Sequence, residues 1–359
     1  MAINLAEKYE QQLAEGFALA SVVDGATNKD YNWDGVRAIN VYSPVYQDLT
    51  DYQREGMSRY GTPKELQDTV NHMEITRDRA FTMTIDKGNN KEQKMAKAAG
   101  KILRGEMKFK VVPEMDKYAL GRYIDYAGKI DALAAAPTTE TIVEKLSDGM
   151  VYMSNKNVPA ENRTVFIGWT YFGMLRISKQ FIGIDALGTK ALVRGSLGTF
   201  MGAQVIPVPD EYLKKGTSQC YFLIAAKEAI VQPKKINDMK LHSDPPGING
   251  SLLEGRFLYD AFVIGAKVDG VYAAVAASTQ QATPTFGFSS NTLTVTSAGA
   301  TEVLVTLDGS DPRFSKNVIR TTSGGTITLP SGKTTAKAVA LDDALFTSAV
   351  ATDTERTVG

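Results

Sequence analysis

The sequence predicts an α+β body followed by a separate all-β sandwich. Three observations carry this: an apolar pattern at spacings of three and four from Met95 to Ala127, alternating strand-like runs around it, and a change of composition near Ser278. A chain of 359 residues also exceeds what one hydrophobic core usually supports. With 40 basic residues against 40 acidic ones, it carries no net field that would draw it to nucleic acid or to an anionic membrane.

The opening stretch, Met1-Ala2-Ile3-Asn4-Leu5-Ala6-Glu7-Lys8-Tyr9, is amphipathic and lacks the basic-then-apolar order of a secretory signal. Val36 to Tyr42 forms a first strand, and a second runs through Met73, Ile75, Phe81, Met83 and Ile85 with a period of two. Between them, Ser43 to Asn71 carries Pro44, Gly56, Gly61, Pro63 and many charges, the mark of a long loop leaving the body. Asn90 and Gln93 resemble a capping box. Met95, Ala98, Ile102, Gly105, Phe109 and Val112 then share one helix face, and Met115, Ala119, Tyr123 and Ala127 extend it past a kink at Pro113. The element spans about 38 residues, far more than an ordinary globular helix. Beyond Ala134-Ala135-Ala136-Pro137, Thr141–Met153 reads as a helix, Arg163–Trp169 as a strand and Thr170–Gln180 as a helix. Ser278 to Pro284 reads as a linker, and the Thr-, Ser-, Val- and Gly-rich remainder, with runs such as Thr292-Leu293-Thr294-Val295-Thr296, reads as a small sandwich.

Chemistry-bearing patterns are scarce. His72 and His242 stand at no ligand spacing, and Cys220 lies in an apolar run that marks it as a core residue made in a reducing compartment. Ser331-Gly332-Lys333-Thr334 ends like a phosphate-binding loop, but Ile327 stands where its first glycine belongs, so a hairpin turn is expected. Asp308-Gly309-Ser310-Asp311-Pro312 has the residues of a tight turn. No metal or cofactor is expected. No run approaches the roughly 18 apolar residues of a membrane span, since Arg163 and Arg176 break the greasiest stretch. Lys94, Lys97, Lys101, Arg104 and Lys108 recur at spacings of three and four, a basic stripe that is either a solvated face or a contact for a polyanion.

Taken in order, the amphipathic arm, the long excursion, the string Arg77-Asp78-Arg79-Ala80-Phe81-Thr82-Met83-Thr84-Ile85-Asp86 and the long helix resemble the major capsid proteins of tailed bacteriophages. Gly255-Arg256-Phe257-Leu258-Tyr259-Asp260-Ala261-Phe262-Val263-Ile264, followed by Lys267 and Gly270-Val271-Tyr272, resembles the closing strands of that family's peripheral domain. The resemblance covers residues 1–278. It implies the phage coat fold: an N-terminal arm (1–35), an extended loop overlapping a neighbouring subunit (36–88), a spine helix (91–128), an axial domain (138–215) and a return to the peripheral domain (216–278). Arg54, Arg59, Tyr60, Lys64, Phe81 and Met83 are the subunit-interface residues it suggests. Some relatives cross-link covalently through an extended-loop lysine, and Lys64 is the only lysine between Lys29 and Lys87.

The implied function is non-enzymatic: self-assembly into pentamers and hexamers of an icosahedral head in the bacterial host cytoplasm. The implied partners are a separately encoded scaffolding protein, a portal protein and packaged DNA bound without sequence preference. Residues 283–359, with Val305-Thr306-Leu307-Asp308-Gly309-Ser310-Asp311-Pro312, resemble the immunoglobulin-like domain appended to chitobiases. That resemblance implies a non-catalytic decoration with glycans as ligands, with Phe286, Phe288, Phe314 and Phe346 its only aromatic residues, and the linker from Ser278 to Pro284 predicts an independent unit with few contacts to the body. A phage tail or surface protein with a glycan-binding module therefore stays open as an alternative, and a glycoside hydrolase stands third for want of an identifiable acid pair.

Overall fold

A computed structural model describes residues 20–31, 33, 37–55, 57–63, 65–87, 99–178 and 198–358. Most of the expected N-terminal arm (1–19), Lys64, the capping residues Asn90 and Gln93, and Lys94 and Lys97 of the stripe lie outside them.

Strands β1 (Ala38–Val45) and β2 (Gln67–Glu74) pair antiparallel as a two-stranded hairpin, in register from Ala38 opposite Glu74 to Val45 opposite Gln67. The second expected strand is in fact two. It breaks at Ile75-Thr76, where the Ile75 amide donates to the Arg37 carbonyl (2.9 Å) and the Thr76 amide to the Asp260 carboxylate (2.9 Å). Past the break, β3 (Arg77–Asp86) leaves the hairpin. From Met73 to Ile85 the large apolar residues keep the same parity on either side of Arg77 and Arg79, so the period alone could not reveal that the partners of the two strands differ.

The long helix is continuous from 99 to 125: α1 (Ala99–Glu106), a π-helical turn (Met107–Val111) and α2 (Val112–Asp125). In the π turn the Val112 amide bonds the Met107 carbonyl. This wider turn gives the Pro113 ring room where a regular helix would set it against the carbonyl four residues back. The helix ends at Asp125 instead of Gly128, because Lys129–Leu133 forms β4. Met115, Ala119 and Tyr123, the period-four set, are buried.

Helix α3 (Ile142–Asn155), β5 (Arg163–Gly168) and α4 (Trp169–Ile177) follow. Next come β6 (Thr199–Phe200), β7 (Ala203–Val208), β8 (Lys214–Lys215), β9 (Ser218–Ala226) and β10 (Ile230–Val231). The run closes with β11 (Lys234–Ser243), β12 (Gly250–Tyr259), β13 (Phe262–Val263) and β14 (Val271–Ala276). A seven-stranded mixed sheet has the order β4-β14-β9-β5-β7-β6, with β8 on β9. Its central strands β5, β9 and β14 are almost wholly buried and mostly apolar, as strands covered on both faces must be, and α2 and α3 supply Leu120, Tyr123, Leu146 and Met150 to the same core. Arg163 is buried because its guanidinium meets the end of α3, donating to the Met150 and Val158 carbonyls and to Ser154 Oγ. A second sheet, β11-β12-β3, brings the two resembling strings side by side, from Gly250 opposite Asp86 to Tyr259 opposite Arg77.

The C-terminal unit is all-β, as expected. One sheet joins β15 (Thr285–Ser289), β16 (Thr292–Thr296) and β19 (Gly325–Thr328). The other joins β18 (Ile319–Thr321), β17 (Glu302–Thr306), β21 (Lys337–Leu341) and β22 (Ala351–Thr352). A short pair, β20 (Gly332–Thr334) and β23 (Arg356–Val358), completes it, and Leu293, Val295, Val303, Val305 and Ala338 fill its core. One expectation fails: the unit is not a loosely tethered decoration. Phe314 and Phe346 are buried in the core of the body, and the linker residue Gln281 is itself buried, its amide donating to the Phe346 carbonyl (2.8 Å).

Candidate assembly surfaces

The excursion between β1 and β2 presents apolar side chains to solvent, against the ordinary partition of residues. Leu49 is fully exposed, Met57 95%, Tyr60 87% and Tyr46 84% exposed, with Tyr42, Tyr52 and Leu66 more than half exposed. Tyr52 and Tyr60 meet edge to face at 5.1 Å, and the Gln53 amide bonds the Arg59 carbonyl at 3.0 Å, so the loop has internal order. Clustered exposed apolar groups on one projection are characteristic of an interaction surface. Arg54 and Arg59 lie exposed among them. Tyr46, Leu49, Met57 and Leu66 were not among the residues singled out from sequence, although apolar residues with no periodic partner in a Pro- and Gly-rich stretch were the available signal.

Phe81 and Met83 sit elsewhere. They lie on β3, half-buried, where Phe81 stacks on Phe257 at 6.1 Å and covers Gly255 across the strands. A Cβ on Gly255 would meet the Phe81 ring at 2.4 Å, so the glycine makes room for the aromatic. A cross-strand ion pair, Arg256 to Asp78 (2.6 Å), holds the Asp78 carboxyl below its ordinary range.

Asp260, buried at the root of the excursion, accepts from the Thr76 amide and hydroxyl (2.9 and 3.0 Å), the Tyr118 hydroxyl (2.9 Å) and the Ala261 amide (2.8 Å). Nearby, Glu114 on α2 accepts from Arg79 (2.9 Å), Arg77 (3.3 Å) and the Tyr259 hydroxyl (3.3 Å). The hairpin's root is thereby tied to both the long helix and the β11-β12-β3 sheet.

Of the basic stripe, Lys101, Arg104 and Lys108 are described, and all three are exposed along α1 and the π turn. The remaining motifs resolve as structure. His72 Nδ1 lies 2.7 Å from Asn40 Oδ1, and His242 Nε2 lies 3.2 Å from Glu254. Burial pushes the Cys220 thiol well above its ordinary pKa. Gly332-Lys333-Thr334 is strand β20, with Lys333 paired to Glu355, and Asp308 Oδ1 accepts the Ser310 amide within a turn. Among the described residues, no group of three or more His, Cys, Asp or Glu is placed to hold a metal, and no helix is long and apolar enough to cross a membrane.

The architecture combines a β-hairpin excursion, a long helix, a mixed sheet beside it and a three-stranded sheet that takes in β3, the strand following the excursion. No family model and no curated protein matches the sequence. Solved structures do match the fold. A chain of Mycobacterium phage Che8 superposes with a TM-score of 0.64 at 16% identity, covering 76% of this chain and 98% of that one. The capsid of Cyanophage P-SCSP1u gives 0.62 at 13%, covering 76% and 93%. The mature capsid of bacteriophage PhiM1 gives 0.59 at 12%, covering 76% and 92%. At such identities the likeness is one of fold.

Proposed function

We propose that this chain is the major capsid protein of a tailed bacteriophage, a structural and non-enzymatic subunit that assembles with copies of itself into the pentamers and hexamers of an icosahedral head. The observation that carries the reading is a fold shared over nearly the whole length of capsid chains, and the exposed apolar excursion gives it a physical basis. Rotational symmetry closes rings of identical subunits, and many modest contacts sum to a stable shell. The excursion, with Tyr46, Leu49, Met57 and Tyr60, would lie over a neighbouring subunit.

In this reading the chain assembles in the host cytoplasm around a separately encoded scaffolding protein and a portal, resides in the virion, and encloses double-stranded DNA that the basic stripe contacts without sequence preference. The glycan reading of the C-terminal unit has lost its support. Phe314 and Phe346 are buried, Phe286 and Phe288 are half-buried against the unit's own core, and the Arg356 guanidinium lies 3.7 Å over the Phe288 ring. None of the four is an open platform for a sugar. The test is negative-stain microscopy of the protein made in bacteria, alone and together with a scaffolding protein of the same phage. Uniform polyhedral shells in either preparation are expected, and only tubes or dispersed monomers in both would overturn the proposal.

A further inference from the structure

Two loops of the C-terminal unit reach into the body at places that matter for its shape. The first, Asp311–Phe314, carries Arg313, whose side chain is 6% exposed and gripped by Asp311 through Nε to Oδ1 (3.0 Å) and Nη2 to Oδ2 (2.7 Å). So oriented, its Nη1 donates to the Ala127 carbonyl at 2.7 Å, just past the end of α2. A cation here meets the negative end of the helix dipole and a carbonyl just beyond the C-cap Tyr126. Beside it Phe314 lies against Tyr126, ring centroids 5.8 Å apart, and over Gly265, where a Cβ would come within 3.1 Å of the ring. Its carbonyl accepts the His72 amide (3.3 Å), on the edge of β2 that faces away from β1.

The second loop, Asp342–Ser348, buries Phe346 completely. Its Thr347 donates from amide and hydroxyl to Asp125 Oδ1 (both 3.1 Å), whose other oxygen pairs with Lys215 at 2.9 Å. The Ser218 hydroxyl, at the start of β9, donates to the Ala344 carbonyl at 2.7 Å. The last turn of α2, the root of the hairpin and the start of the central strand β9 therefore all hold to one neighbouring unit.

We infer that the C-terminal β-unit is an internal brace: through Arg313-Phe314 and Phe346-Thr347 it fixes the end of the long helix relative to the root of the β1–β2 hairpin, and so sets the direction in which the excursion projects. The inference rests on contacts within one chain and stands whether or not the chain forms shells. Arg313 and Thr347 are positioning residues in this scheme, and a merely adherent domain would leave the hairpin root and the helix end unaffected by their loss.

Hydrogen–deuterium exchange of the full-length chain separates the two. In Arg313→Ala, amides from His72 to Ile75 and from Tyr123 to Ala127 should exchange about tenfold faster, the change expected from losing a charged hydrogen-bond donor in a local opening. Amides of Leu293 and Val303, inside the unit's own core, should keep their wild-type rates, and Arg313→Lys should recover part of the protection. Should Arg313→Ala not yield folded protein, Thr347→Val, close in shape and lacking only the hydroxyl donor, is read at Tyr123 to Ala127 in the same way. Acceleration confined to residues 308–318, or to 342–348 for Thr347→Val, would overturn the inference, as would equal acceleration at Leu293 and Val303.

Discussion

Asp116 shows how a single buried carboxylate links stability to pH. It is 2% exposed on α2 and ties the chain's early segment to the helix, accepting from Ser21 Oγ and the Val22 amide at 2.8 Å each. Desolvation nevertheless outweighs these two bonds and raises its pKa above the ordinary carboxylate value. In the window between the unfolded and folded values the folded chain holds the extra proton, so this group's contribution is present at lower pH and is lost as pH rises through the folded value. Asp116→Asn cannot titrate, and Ser21 can rotate to accept from its new amide. Its thermal midpoint, measured against wild type between about pH 4 and about pH 7, should therefore gain on wild type as pH rises. Parallel curves would show that the carboxyl titrates alike in both states.

At the scale of elements, the basic stripe carries the clearest test. Changing Lys101, Arg104 and Lys108 together to glutamate keeps good helix formers throughout, so α1 should persist. If the stripe meets phosphates, the fall of DNA affinity with salt should flatten by about 0.9 per lost contact, close to three in all. An unchanged slope would return the stripe to a solvated face. Periodicity made most elements legible beforehand: the helix expected from Thr141 to Met153 is found at Ile142–Asn155, and the strand expected at Arg163 at Arg163–Gly168. It could not show where one strand changes partner, since Met73, Ile75 and Phe81 alternate correctly on both sides of the Thr76 break. Nor could it show β4, a short strand whose place is set by parallel pairing with β14 and not by a pattern of its own. The exposed surface of the excursion was harder still, because apolar residues in a loop announce neither a core nor an interface until the fold shows them uncovered by the described residues.

For the whole molecule, the decisive difference between sequence and structure lies at the join of its two units. The linker from Ser278 to Pro284 has the composition of a free hinge, and nothing about Phe314 or Phe346 in sequence says that they leave their own sandwich for another core. A chain ending at Thr279 would lose both rings, the Arg313 donor at Ala127 and the Thr347 donors at Asp125. Removing two buried phenylalanines alone costs about 3 to 6 kcal/mol of apolar burial, a large part of the roughly 5–15 kcal/mol that holds a typical domain folded. The truncated chain should therefore be insoluble or melt far below the full-length protein. The excised piece, Thr283 to Gly359, keeps Leu293, Val295, Val303 and Val305 around its own core, and should give a β-type circular dichroism spectrum while self-associating through the exposed Phe314 and Phe346. Centrifugation of the piece and a thermal scan of the truncated chain check both halves. A truncated chain that melts with the full-length protein would show that the body stands without its brace.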